Sequence, residues 1–266
     1  MPRFCANLTM MFNEVGFLDR FAAAAQAGFD GVEYLFPYPY EKAQLADKLR
    51  ACDLVQVMHN LPAGDWNTGE RGIACHPDRV AEFRDGVGEA IEYATALGCT
   101  RLNCLAGVAP EGAEPGALRE TFVANLRFAA GETAKAGITL LTEPINLRDV
   151  PGFYLHRTAQ ALAIMDEVDA PNLGLQYDVY HMQIMEGDLA PTLERVIGRV
   201  GHIQIADTPG RHEPGSGEIN YDFLFAHIDR LGYSGWIGCE YKPAAGTVDG
   251  LGWVRPYMAQ NDAATL

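Results

Sequence analysis

The chain has 266 residues, 48% hydrophobic and 21% charged, enough for a full core without disulfide staples. Lys plus Arg number 20 and Asp plus Glu 35, so the formal charge is −15. That balance excludes the basic face that nucleic acid or an anionic membrane surface requires, and no apolar run approaches the roughly 20 residues of a membrane helix.

From the N-terminus, Met1-Pro2-Arg3-Phe4-Cys5-Ala6-Asn7 lacks a secretory h-region and reads directly as folded structure. The six cysteines form no Cys-x-x-Cys pair, which points to reduced, buried thiols in a cytoplasmic protein. Short apolar strands then recur along the chain: Arg3–Leu8, Gly31–Leu35, Val55–Asn60, Arg101–Leu105, Thr139–Glu143, Leu173–Asp178, His202–Ala206 and Trp236–Glu240. Amphipathic stretches lie between them, with Phe17, Phe21 and Ala25 in the first and Leu224, Ile228 and Leu231 in the last. Gly28, Gly98, Gly137 and Gly232 each close a helical stretch shortly before a strand.

Eight strands alternating with helices, at about 33 residues per unit, predict a single (β/α)₈ barrel domain over residues 1–266. A doubly wound open sheet is the competitor, but no Gly-x-Gly-x-x-Gly turn follows an early strand. In a barrel the active site lies at the C-terminal strand ends. Glu143, Asp178, Gln204 and Glu240 stand at or near four successive strand ends, separated by 35, 26 and 36 residues, about one βα unit each. Three crowded carboxylates repel one another, and a divalent cation resolves that conflict. The all-oxygen donor set suits Mg²⁺ or Mn²⁺. Each carboxylate taken singly fits a cap or ion pair equally well; four in register point to a site.

His181 follows Asp178 by three residues and can face the same pocket, although a satisfied polar role near a helix start fits it as well. His202 points to the same side of its strand as Gln204 and reads as a core histidine. His59 and Asn60 end the third strand and are placed for ligand contact.

Several long stretches contain rare residues in fixed order. They are His59-Asn60-Leu61-Pro62-Ala63-Gly64-Asp65-Trp66, Gly69-Glu70-Arg71-Gly72-Ile73-Ala74-Cys75, Glu143-Pro144-Ile145-Asn146, Gln176-Tyr177-Asp178-Val179-Tyr180-His181, Gly210-Arg211-His212-Glu213 and Gly238-Cys239-Glu240-Tyr241-Lys242-Pro243. Through them the chain resembles the hydroxypyruvate isomerase family of the xylose-isomerase-like barrel superfamily, nearly end to end. The resemblance implies that Glu143 and Glu240 are paired proton donor/acceptors, and that Glu143, Asp178, Gln204 and Glu240 hold a divalent ion. The superfamily's sugar epimerases place a His where this chain has Gln204, which argues against epimerase activity.

The implied reaction converts hydroxypyruvate to 2-hydroxy-3-oxopropanoate through an enediolate. A small anionic 2-oxo acid in so acidic a protein needs local cations; Arg71, Arg211 and Lys242 are the candidates, with ion pairing in loops as their competing role. The segment from Leu61 to Pro77 is long for a βα loop and carries Trp66 and Arg71, which suggests a cover over the pocket. A subunit contact in a homo-oligomer is its competing role. A sibling, 2-oxo-tetronate isomerase, is the alternative activity. A DNA-repair endonuclease on the same barrel is disfavoured by the charge and by only seven histidines.

Overall fold

The computed structural model describes residues 3–258. Eight parallel strands close into a barrel in chain order, each hydrogen-bonded to its sequence neighbours, with the last pairing back to the first. They are β1 (Arg3–Asn7), β2 (Gly31–Glu33), β3 (Val55–Asn60), β4 (Arg101–Cys104), β5 (Thr139–Thr142), β6 (Leu173–Asp178), β7 (Val200–Ile205) and β8 (Trp236–Cys239). All eight coincide with the predicted strands to within two residues at either end. The outer ring is α1 (Arg20–Gln26), α2 (Lys42–Ala51), α3 (Val80–Leu97), α4 (Pro115–Lys135), α5 (Thr158–Val168), α6 (Val179–Met185), α7 (Leu189–Val196) and α8 (Tyr221–Arg230).

The alternation departs from strict form twice. Two short helices, α6 and α7, follow β6, and a 3₁₀ turn at Asp249–Trp253 follows β8. The helices form where the sequence supplies one apolar stripe. In α3, Phe83, Val87, Ala90, Ala94 and Leu97 recur at three- and four-residue spacing, and all five are buried. Each large apolar side chain so buried contributes about 1.5–3 kcal/mol. The stripe predicted for the first helix begins in a 3₁₀ turn at Phe17–Asp19 that leads into α1. Gly98 ends α3 with φ 64°, the left-handed C-terminal position that glycine occupies without strain.

All six cysteines are free. Among the described residues no helix is long and apolar enough to cross a membrane.

Candidate active site

Parallel pairing fixes which side chains meet at the rim. Asp178 is level with Gln204, Gln204 with Gly238, and Cys104 with Thr142, the residue before Glu143. Glu240 follows the last residue of β8 and donates its backbone N–H to Ile205 of β7. A cavity of about 550 Å³ opens among these strand ends, and Glu143, Gln176, His181, Arg211 and Glu240 line it. The carboxylates are almost wholly withdrawn from solvent: Glu143 is 4% exposed, Asp178 1% and Glu240 6%.

Glu143 Oε2 accepts from Asn103 Nδ2 and Gln176 Nε2, both at 2.9 Å. Asp178 caps α6: its Oδ1 accepts from the backbone N–H of Tyr180 at 2.8 Å and of His181 at 3.3 Å. That cap fixes the first turn of α6 and brings His181 Nε2 to 3.5 Å from Asp178 Oδ2 and 3.9 Å from Glu143 Oε1. On the other side of the ring, Asn146 Nδ2 lies 2.6 Å from His181 Nδ1. Asn146 Oδ1 already accepts from Asp149 N–H at 2.7 Å, so its amide nitrogen must face the imidazole. Nδ1 is therefore the acceptor, and Nε2 carries the proton toward the carboxylates.

Arg211 Nη2 lies 2.6 Å from Glu240 Oε2 and 3.9 Å from Asp178 Oδ2, and its guanidinium packs on the Tyr180 ring at 4.9 Å. Its backbone is left-handed, φ 57°. The loop that holds it there is organised by buried Asp207, whose carboxylate accepts from the backbone N–H groups of Thr208, Gly215, Gly217 and Ile219. A Cβ on Gly217 would run into the Thr208 carbonyl, so this turn admits only glycine at that point.

Burial, with repulsion from Glu240 and Asp178, holds the Glu143 carboxyl well above the usual carboxylate range. Burial also pushes Glu240 up to about 8, although Arg211 pulls the other way. Asp178 is raised by burial against the opposing pull of Arg211 and of its backbone donors. His181 is held well below 6.5 by burial and by Arg211, so its ring is neutral at neutral pH.

Ligand atoms of Glu143, Asp178, His181 and Glu240 all lie within 4.8 Å of one another. The three carboxylates fit a hard divalent cation by donor type and by their unrelieved repulsion. His181 fits less well, because its proton sits on the nitrogen that faces them. Gln204 is not on the cavity wall. Its Oε1 accepts from Gln176 Nε2 at 2.6 Å and its Nε2 donates to Glu33, so the oxygen expected to hold the ion is already engaged.

The remaining predicted residues divide. Arg71 and Lys242 line the cavity mouth with Trp66. The Arg71 guanidinium stacks on the Trp66 ring at 4.0 Å and donates to the backbone carbonyls of Trp66 and Glu70. Glu70 in turn pairs with Arg79, which ties the middle of the Leu61–Pro77 segment to the turn before α3. His59 is a correction. Its ring is fully buried and does not face the cavity, while Met58 and Asn60 do. Strand alternation allows only one of two adjacent residues to point inward, and His59 packs instead beside Tyr38, with burial pulling its pKa down to about 3. Asn103, Gln176 and Arg148 also belong to the site and were not anticipated. Asn103 and Gln176 each carry a sequence signal, a polar side chain flanked by apolar or aromatic neighbours within a strand.

The profile of the family described as Xylose isomerase-like TIM barrel matches residues 21–257. The chain belongs to the xylose isomerase-like TIM barrel family. Within that family it is 54% identical over 257 residues to hydroxypyruvate isomerase of Escherichia coli, covering 97% of this chain and 100% of the relative. It is 53% identical over 260 residues to 2-oxo-tetronate isomerase of Cupriavidus necator, covering 98% and 100%. A crystal structure described as AP endonuclease, family 2, from Brucella melitensis superposes with a TM-score of 0.95 at 48% identity, covering 97% of this chain and 99% of that one.

Proposed function

We propose that this protein is a hydroxypyruvate isomerase, interconverting hydroxypyruvate and 2-hydroxy-3-oxopropanoate by proton transfer between Glu143 and Glu240. The observation that carries the reading is the buried placement of these two carboxylates on one cavity, with a neutral His181 and the Arg211 guanidinium beside them. The nearly equal identity to the 2-oxo-tetronate relative keeps a four-carbon 2-oxo acid as the second reading.

The chemistry needs a base to remove a proton from the hydroxyl-bearing carbon beside the ketone. Electrons move to the ketone oxygen and leave an enediolate; the neighbouring hydroxyl then gives its proton to that oxygen, and a proton is delivered to the former ketone carbon, which leaves the aldehyde. A carboxylate raised toward neutral pH both accepts and returns a proton at modest cost. Glu143 and Glu240 take one half of this shuttle each. His181 Nε2–H and the Arg211 guanidinium donate to the oxygens where charge develops, and a neutral imidazole donor gives up no proton to the enediolate. Glu143, Asp178 and Glu240 would hold a divalent ion of the Mg²⁺ or Mn²⁺ type, with Gln204 beneath them, and such an ion supplies Lewis-acid stabilisation of enediolate oxygens. At the mouth, Arg71 and Lys242 receive the substrate carboxylate, which places the reacting carbons toward the floor. Trp66 and Arg71 cover the opening and limit water reaching the intermediate.

An endonuclease role is not supported by this donor set, which holds one histidine among three carboxylates in a chain of charge −15. The deciding experiment compares kcat/KM on hydroxypyruvate with that on a four-carbon 2-oxo acid. The proposal expects the three-carbon substrate to be preferred. Preference for the longer acid selects the second reading, and turnover of neither rejects both.

A further inference from the structure

Below the candidate site lies a second buried anion that the proton shuttle does not use. Glu33, at the end of β2, has no solvent exposure. It accepts from four side chains: His202 Nε2 at 2.6 Å, Gln204 Nε2 at 2.8 Å, Asn7 Nδ2 at 3.0 Å and Cys5 Sγ at 3.6 Å. Room for it is built in, since a Cβ on Gly238 would run into its carboxyl group.

A carboxylate so placed only accepts, and this dictates how the neighbouring amides turn. Gln204 must present its nitrogen to Glu33, which leaves its oxygen for Gln176 Nε2 at 2.6 Å. Gln176 therefore presents its nitrogen upward as well, to Glu143 Oε2 at 2.9 Å. Its own Oε1 is left without a partner, although buried. An orphaned oxygen is costly, so the direction is imposed on Gln176 rather than chosen by it. A shorter path runs through Asn7, whose Nδ2 reaches both Glu33 and Glu240 Oε1, the latter at 3.3 Å. Asn7 Oδ1 is held by the backbone N–H of Thr9, which fixes the same sense. Both paths begin at Glu33, and each ends by donating an N–H to a different glutamate of the shuttle.

We propose that Glu33 is a positioning residue, a buried acceptor that sets the hydrogen-bond direction of two amide relays and so aims Glu143 and Glu240 into the cavity. The inference rests on the shuttle reading of those two glutamates. With donors engaged on their floor-side oxygens, Glu143 Oε1 is left to face substrate and Glu240 Oε2 is held against the cavity-lining Arg211. Reversed amides would set carbonyl oxygens against both carboxylates.

The test compares Glu33→Met and Glu33→Gln. Methionine removes the acceptor, and kcat is expected to fall at least about tenfold with KM within about threefold. Glutamine can keep an oxygen toward Asn7 and Gln204 while its NH₂ faces His202. The His202 Nδ1 has no partner and can take the imidazole proton. Glu33→Gln is therefore expected to recover kcat to within about threefold of the unmodified enzyme. A folded Glu33→Met with unchanged kcat, or a Glu33→Gln as impaired as Glu33→Met, overturns the proposal. Should Glu33→Met fail to fold, neutron diffraction of the unmodified protein decides the matter. Deuterons are expected on Gln204 facing Glu33 and on Asn7 between Glu33 and Glu240; a carbonyl in either place overturns it. Normal turnover by Glu143→Gln would instead remove the shuttle reading and leave those deuteron positions as they are.

Discussion

Arg211 meets Glu240 at 2.6 Å, while Glu143, on the same cavity, receives only neutral amide donors on its floor side. Two carboxylates of like burial thus have unlike partners. The difference separates their proton affinities, which is what a shuttle that takes a proton with one group and returns it with another requires.

Arg211 opposes the burial that raises Glu240, so replacing it leaves the raising influences uncompensated. In Arg211→Met the ascending limb of kcat/KM against pH moves to higher pH, by about one unit or more. An unmoved limb with a lower plateau would mean that Arg211 serves substrate alone.

Raised carboxylates also make stability depend on pH. Glu240, at about 8 in the folded chain, binds a proton more tightly than in the unfolded chain, and Glu143 and Asp178 shift the same way. Their contribution is complete below the unfolded pKa and is lost as pH rises through the folded one. His59 and His181 are lowered and act oppositely, but only below their unfolded pKa of about 6.5. The clean window is therefore about pH 6.5 to 8, across which the chelator-treated protein loses stability on the order of 1–2 kcal/mol. Denaturant unfolding at several pH values checks this. Glu240→Gln should flatten the slope, and added Mn²⁺ should offset it by relieving the repulsion among the three carboxylates.

At the mouth, Arg71 spends one guanidinium nitrogen on two backbone carbonyls and rests on Trp66, which leaves its remaining N–H groups for an anion. Arg71→Ala raises KM for hydroxypyruvate about three- to tenfold with kcat nearly unchanged, the loss of one partly buried charge-assisted contact. A constant KM with an altered molecular mass in solution would assign the segment to a subunit contact.

Three strand ends were legible because a short, mostly apolar run there closes in, or is followed at once by, a carboxylate. Glu143, Asp178 and Glu240 are such residues, and the spacing of the units brought them to one rim. The inward or outward sense of adjacent polar residues was not legible: His59 and Asn60 read alike in the sequence, and only Asn60 faces the cavity. Nor was the layer beneath. Glu33, Asn103 and Gln176 are strand residues whose meaning depends on partners more than twenty residues away. The sequence leaves His181 open between a pocket contact and a satisfied polar role; in the structure its Nε2–H faces the carboxylates because Asn146 and Asp149 set the tautomer.

The central claim is that Glu143 and Glu240 each carry one half of the proton transfer. Glu143→Gln and Glu240→Gln keep volume and remove the base. Initial rates of hydroxypyruvate isomerisation by the two folded variants test it most directly. The account predicts a loss of at least about 10²-fold in kcat for each. Turnover close to that of the unmodified enzyme in either variant would contradict it.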